Sequence, residues 1–239
     1  MTRMLEICVD SHEGLSAAVA GGADRIELCA ALALGGLSPS EALLQAAMRC
    51  PLPVHAMIRP RAGGFDYGEA ELTDMEREID RIRDLGLAGV VLGAGSRAGL
   101  DFAALGRLAA RARGMAMTLH RVIDLVPSPS ETLDRVAALG FTRVLSSGGA
   151  TTAWAGRATL AAMVHAAPPG LAIMAGGGVS AGNAADLVAA TGVHELHGSA
   201  SAAAPEPDAD LVRLGFAPPA PRRTDRVQVA RLARIVRGG

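Results

Sequence analysis

Two short stretches near the start of the chain carry the same pattern, Leu5-Glu6-Ile7-Cys8 and Ile26-Glu27-Leu28-Cys29. In an extended strand, residues two apart share a face, so each stretch sets an acid and a thiol on one side and its aliphatics on the other. Carboxylates serve as general acids and bases, and thiolates bind soft metal ions. Adjacent strands lie about 4.8 Å apart, so Cys8 and Cys29 on neighbouring strands could bring two sulfurs to one ion. Two or three soft ligands suit Cu(I), whereas a closed structural zinc site wants four. No CxxC or HxxxH spacing accompanies them, and the other reading of each cysteine is a small buried hydrophobe.

Further groups with chemistry sit on loops. Arg59-Pro60-Arg61 before Gly63-Gly64 sets two guanidiniums in a stiffened turn that would suit a carboxylate or phosphate. His120-Arg121 and Asp124 add a base, a cation and an acid. Gly176-Gly177-Gly178 and His197-Gly198-Ser199 offer glycine-rich backbone of the kind that cradles phosphate, or simply tight strand-to-helix turns. Gly93-Ala94-Gly95 with Gly99 has the wrong spacing for a dinucleotide fingerprint, so no nucleotide cofactor is expected.

These residues need a scaffold, and the chain supplies alternating strand and helix signals. Strands are predicted over 5–9, 25–29, 54–59, 88–93, 115–120, 142–146, 171–175 and 194–197, each followed by an amphipathic or capped segment. Eight such units in 239 residues predict a single-domain α/β fold, a closed (β/α)8 TIM-like barrel over 1–239. An irregular Pro- and Ala-rich segment at about 201–224 precedes a closing helix at 227–236. Leu5, Ile7, Val9, Ile26, Leu28, Val54, Ala56 and Ile58 then face the helices. The inward set is unusually polar: Glu6, Cys8, Glu27, Cys29, His55, Met57, Arg59, Thr118, His120, Glu195 and His197. Buried charges persist when paired, so one reading has Glu6 and Glu27 neutralising Arg25, Arg59 or Arg143 as braces. The other has Glu6, Glu27, His120 and Asp124 as acid–base groups at the strand ends, with an anion held by Arg59, Arg61, Arg121, Gly176, Gly177, Gly178, His197 and Ser199.

Composition narrows the field. The net charge of −1 favours neither nucleic acid nor an anionic membrane. All 23 basic residues are arginine, and without a lysine the chain cannot form a Schiff base, hold pyridoxal phosphate or build a Walker-type loop. The N-terminus lacks an apolar signal core, and no apolar run approaches the ~18 residues a membrane span requires. A cytoplasmic protein is expected, its three cysteines free thiols.

The blocks "LEICVDS", "GGADRIELC", "MIRPRAGGFDY", "TLHRVIDL", "RVLSSG", "IMAGGGV" and "ELHGSA" occur in one order between Leu5 and about Ala200. In this the chain resembles the CutC family of copper homeostasis proteins. The resemblance implies a TIM-like barrel, a cytoplasmic location, self-association, and Cu(I) ligation by the first two strand cysteines, Cys8 and Cys29. It also matches Glu6, Glu27, Arg59, Arg61, His120, Arg121 and His197 at a mouth that looks like an enzyme's. Beyond Ala200 the chain departs from the pattern, with Arg222, Arg223 and Asp225 the remnant of a longer polar segment. The expected function is copper homeostasis through Cu(I) binding. The alternative is a lysine-independent enzyme acting on a small phosphorylated or carboxylated metabolite.

Overall fold

Alternating strands with one apolar face can bury it only against a layer of helices, and that requirement sets the architecture. The computed structural model describes residues 3–238. In chain order it runs β1 (Met4–Val9), α1 (His12–Gly21), β2 (Arg25–Leu28), α2 (Glu41–Ala47), β3 (Val54–Met57) and α3 (Glu69–Asp84). There follow β4 (Gly89–Leu92), a small ribbon of β5 (Gly95–Ser96) and β6 (Gly99–Leu100), α4 (Phe102–Arg111), β7 (Ala116–Leu119) and α5 (Leu133–Ala138). The chain continues through β8 (Arg143–Ser146), α6 (Arg157–Ala166), β9 (Ala172–Ala175), α7 (Ala184–Thr191) and β10 (Glu195–Gly198). It closes with β11 (Ser201–Ala203), α8 (Ala209–Arg213), β12 (Arg222–Thr224) and α9 (Arg226–Val236).

Parallel pairing joins β1, β2, β3, β4, β7, β8, β9 and β10 in that order, and β10 returns to β1. The expected (β/α)8 barrel is therefore the observed fold. Leu5, Ile7, Val9, Ile26 and Leu28 are fully buried in one continuous apolar layer between strands and helices. Each such side chain contributes about 1.5–3 kcal/mol of burial. Inside the barrel the apolar content is small, with Cys29, Met57 and Val91 forming a separate cluster against which Leu32 packs. Met174 and Leu145 are also buried on the inner wall, among polar groups.

Local chemistry shifts some boundaries. Ser40 is the N-cap of α2 and accepts from the Leu43 amide. Ser38 accepts from the Arg59 amide and donates to Glu78, tying the loops before α2 and after β3 together. Asp101 and Asp225 cap α4 and α9 through their carboxylates. The 201–224 segment is more ordered than its composition predicts. Its ends pair as an antiparallel ribbon, β11 with β12, and α8 lies between them. Among the described residues no helix is long and apolar enough to cross a membrane.

Candidate metal centre and mouth cavity

Strand register decides which polar side chains meet. A barrel closes only if its strands shear past one another, so equivalent motif positions on adjacent strands do not face each other. Glu6 accordingly lies beside Arg25 of β2 and beside His197 of β10, while Cys8 lies beside Glu27. The expected side-by-side placement of Cys8 and Cys29 is displaced by two residues.

At the lower level of the interior, Arg25 donates from Nε to Glu6 Oε2 at 2.5 Å and from Nη2 to Glu195 Oε2 at 2.5 Å. Glu195 Oε2 also accepts from Arg143 Nε at 2.5 Å, and Arg143 reaches Thr118 Oγ1. This ladder crosses the barrel with each acid matched to a guanidinium. Burial works against the Glu6 carboxylate, but the His197 hydrogen bond and the Arg25 charge outweigh it and hold the group well below the usual carboxylate range. Arg25 was the right partner for Glu6. Glu27, by contrast, makes no ion pair with an arginine among the described residues.

One level higher, Cys8, Glu27 and His197 offer a sulfur, a carboxylate oxygen and a ring nitrogen, all within 4.8 Å of one another. His197 Nδ1 lies 2.8 Å from Glu6 Oε1, and its Nε2 lies 3.6 Å from Glu27 Oε2. With Glu6 ionised, Nδ1 carries the proton and Nε2 turns to the cluster, the orientation that a carboxylate imposes on metal-ligating histidines. Burial opposes a charged His197, yet the acids around it raise its pKa well above the ordinary value. Burial is also the main cause that pushes Glu27 up. Glu27 Oε1 is buried without a hydrogen-bond partner among the described residues. Cys29 donates to Glu27 Oε2 at 3.4 Å and sits in the apolar cluster, where burial pushes its thiol well up.

Cys8, Glu27 and His197 form part of the wall of a cavity of about 650 Å³ at the barrel mouth. Across it, on the loop that follows β7, stands His120. The Val122 amide donates to His120 Nδ1, so Nε2 bears the proton, and it has no partner among the described residues. Burial, then the nearby Arg59 charge, lower the His120 pKa to about 3, leaving a neutral donor. Two glycines make room for these rings. A Cβ on Gly93 would lie 2.6 Å from His120, and one on Gly176 would lie 2.6 Å from Leu145 and 3.2 Å from His197.

The remaining candidates divide. Arg121, Gly177, Gly178 and Ser199 line the cavity, whereas Gly176, Arg61 and Asp124 do not. Arg61 is paired with Glu71 and donates to the Gly64 and Asp66 carbonyls. Arg59 reaches the cavity wall, turns Nη1 and Nη2 to the carbonyls of Leu34, Gly36 and Gly63, keeps its buried Nε without a partner among the described residues, and lies 4.9 Å over the Phe65 ring. Asp124 accepts from Ser146, Ser147, Gly149 and Arg121, which pins the loop after β8. Arg59, Arg61 and Asp124 therefore shape loops with groups expected to meet a ligand. Sequence reasoning scattered Cys8, Glu27 and His197 among three separate roles. The closure of β10 onto β1 is the signal that joins them.

The CutC family profile matches residues 3–202. The chain belongs to the CutC family. A CutC family protein of Sinorhizobium medicae is 50% identical over 227 residues, covering 95% of this chain and 93% of its relative. One from Caulobacter vibrioides is 48% identical over 237 residues, covering 98% and 97%. The solved CutC of Streptococcus agalactiae superposes with a TM-score of 0.78 at 32% identity, covering 83% of this chain and 99% of that one. Phosphoribosyl anthranilate isomerase from Thermococcus kodakaraensis, at 15% identity and a TM-score of 0.57, shares the barrel fold alone.

Proposed function

We propose that this CutC chain is a copper homeostasis protein of the cytoplasm that binds Cu(I) at the inner end of its barrel mouth. The observation that carries the reading is the convergence of Cys8, Glu27 and His197, whose ligand atoms lie within 4.8 Å of one another. The donor set fits the ion. A thiolate and an imidazole are soft enough for Cu(I), and low coordination needs no fourth protein ligand. Glu6 orients His197, and the unpartnered Glu27 Oε1 is a further oxygen close to the cluster. Cys29, one bond away through Glu27, is the second thiol the ion reaches if the Glu27 carboxylate turns aside. The Streptococcus agalactiae relative, described as a copper homeostasis protein, supports the same role. All three cysteines are free, as a reducing compartment requires.

Anaerobic Cu(I) titration against a competing chelator tests it. Cys8→Ala is expected to abolish tight binding, His197→Ala to weaken it strongly, and Cys29→Ala to weaken it less than Cys8→Ala. Equal affinity in wild type and Cys8→Ala would refute the reading. Equal losses in the two cysteine variants would instead make both thiols direct ligands.

A further inference from the structure

A metal ion needs only the inner wall of the mouth, yet the cavity extends over about 650 Å³ and meets a second cavity of about 320 Å³. The residues common to both are Gly178, Val179, Ser199, Ser201 and Arg222. Gly178 and Val179 belong to the loop after β9 and Ser199 to the loop after β10, while Ser201 and Arg222 stand on the ribbon strands β11 and β12. The outer part of this space is cationic. Arg121, Arg222 and Arg223 line it, against Asp10, whose carboxylate accepts from the Leu32 amide. A rim of that sign concentrates anions.

The guanidiniums also keep donors in reserve. Arg121 uses Nε on Asp124 and Nη2 on Ser147 and Ala150, while its Nη1 lies 3.6 Å from where a Cβ on Gly177 would stand. Arg222 uses Nε and Nη2 on Ser201, and Arg223 makes no side-chain hydrogen bond among the described residues. Gly177 and Gly178 adopt φ of +100° and +71°, so their backbone approaches the cavity without a Cβ in the way. Deeper in the same wall, His120 is nine-tenths buried, and its Nε2–H is enclosed without a hydrogen-bond partner among the described residues. A tetrahedral oxyanion accepts several N–H bonds at once, and guanidiniums match it better than any other side chain.

We propose that the mouth holds a small phosphate monoester, its phosphate at the junction of the two cavities beside Arg222, Arg223, Arg121 and the 177–178 backbone. Its hydroxyl- or carbonyl-bearing end extends inward, where His120 Nε2 donates to an oxygen. This site is separate from the copper reading, because the cysteines, Glu27 and His197 occupy only the inner end.

Isothermal titration of the full chain with a panel of small sugar and polyol phosphates, their dephosphorylated counterparts and inorganic phosphate tests the assignment. At least one phosphate monoester is expected to bind and raise the melting temperature, its dephosphorylated form to do neither, and inorganic phosphate to bind more weakly. The double variant Arg222→Ala/Arg223→Ala, whose side chains are exposed, is expected to weaken the monoester by about tenfold or more. Its Cu(I) affinity should stay at the wild-type value. His120→Gln, which keeps an amide donor, should retain more monoester binding than His120→Phe. Should no phosphorylated compound bind, should inorganic phosphate bind as tightly as every monoester, or should the arginine variant bind the monoester as wild type does, the assignment is overturned. Because Cu(I) binding is read on the same variants, failure here leaves the copper reading standing, and failure of the copper reading leaves this one.

Discussion

The strands β1 and β2 carry nearly the same tetrapeptide, and the barrel gives the two copies opposite tasks. In β1, Glu6 is fully buried, shared between Arg25 and His197, and held ionised, while Cys8 stands open to the mouth cavity. In β2, Glu27 is equally enclosed but meets no guanidinium, its Oε1 has no partner among the described residues, and Cys29 is plugged into an apolar cluster with Met57 and Val91. Acid and thiol thus exchange duties: the structural carboxylate is on one strand and the structural thiol on the other. The lesson is that a buried polar residue is defined by its neighbours on adjacent strands more than by its own motif. A matched charge braces, and an unmatched one is available for ligands.

Breaking the matched charge should give the largest effect. Glu6→Gln leaves Arg25 and His197 short of a buried counter-charge and is expected to cost about 3–5 kcal/mol in equilibrium urea unfolding. Glu27→Gln removes a carboxyl that burial already drives toward its neutral form, and should change stability by no more than about 1 kcal/mol while weakening Cu(I) binding. If both glutamines cost the same, the contrast between the strands is wrong.

Acid titration sharpens the same contrast. His55, registered beside Glu27, is lowered by burial to about 4, and His120 to about 3. Between the ordinary histidine value of 6.5 and those values the unfolded chain binds protons that the folded chain refuses. Stability should therefore fall as pH drops from about 6.5 toward 4, by on the order of a few kcal/mol. Glu6, with its pKa depressed in the fold, adds a further loss once pH falls below its ordinary value of 4.5. His197 has the opposite sign: its raised pKa contributes stability fully below 6.5, which is lost as pH rises through the folded value. Unfolding midpoints measured across this range check the profile, and His55→Gln should flatten the acid limb.

The smallest effect concerns the thiols. Cys29 has no exposed surface and an elevated pKa, so in timed iodoacetamide labelling read by mass spectrometry it should react last, after Cys50 and Cys8. Prompt labelling of Cys29 in the native protein would mean that the second thiol opens to the mouth as the first does.

Much of the molecule follows from its sequence because the signals are local. Alternation in Leu5–Val9 and Ile26–Leu28 fixes which face meets the helices, and repeating that pattern with intervening helical segments leaves a closed barrel as the way to bury every strand. The same alternation correctly turns Glu6, Cys8, Glu27, His55, His120, Glu195 and His197 inward. Partnership is not local. Whether Glu6 meets Arg25 or Glu27 does depends on the shear between strands, and His197 joins Cys8 only because the last barrel strand returns to the first. Nor does the sequence say that Arg59, Arg61 and Asp124 are spent on loop carbonyls, neighbouring acids and amides, since those loops acquire their shape from the fold. The ribbon that carries Arg222 over the mouth is also a tertiary decision, because its two strands pair across the Pro- and Ala-rich residues 204–221. Sequence alone determined the scaffold and the chemical inventory of its interior. The tertiary structure decided which of those groups are neutralised and which remain open to a ligand, because electrostatic and hydrogen-bond partners are set by distance in space.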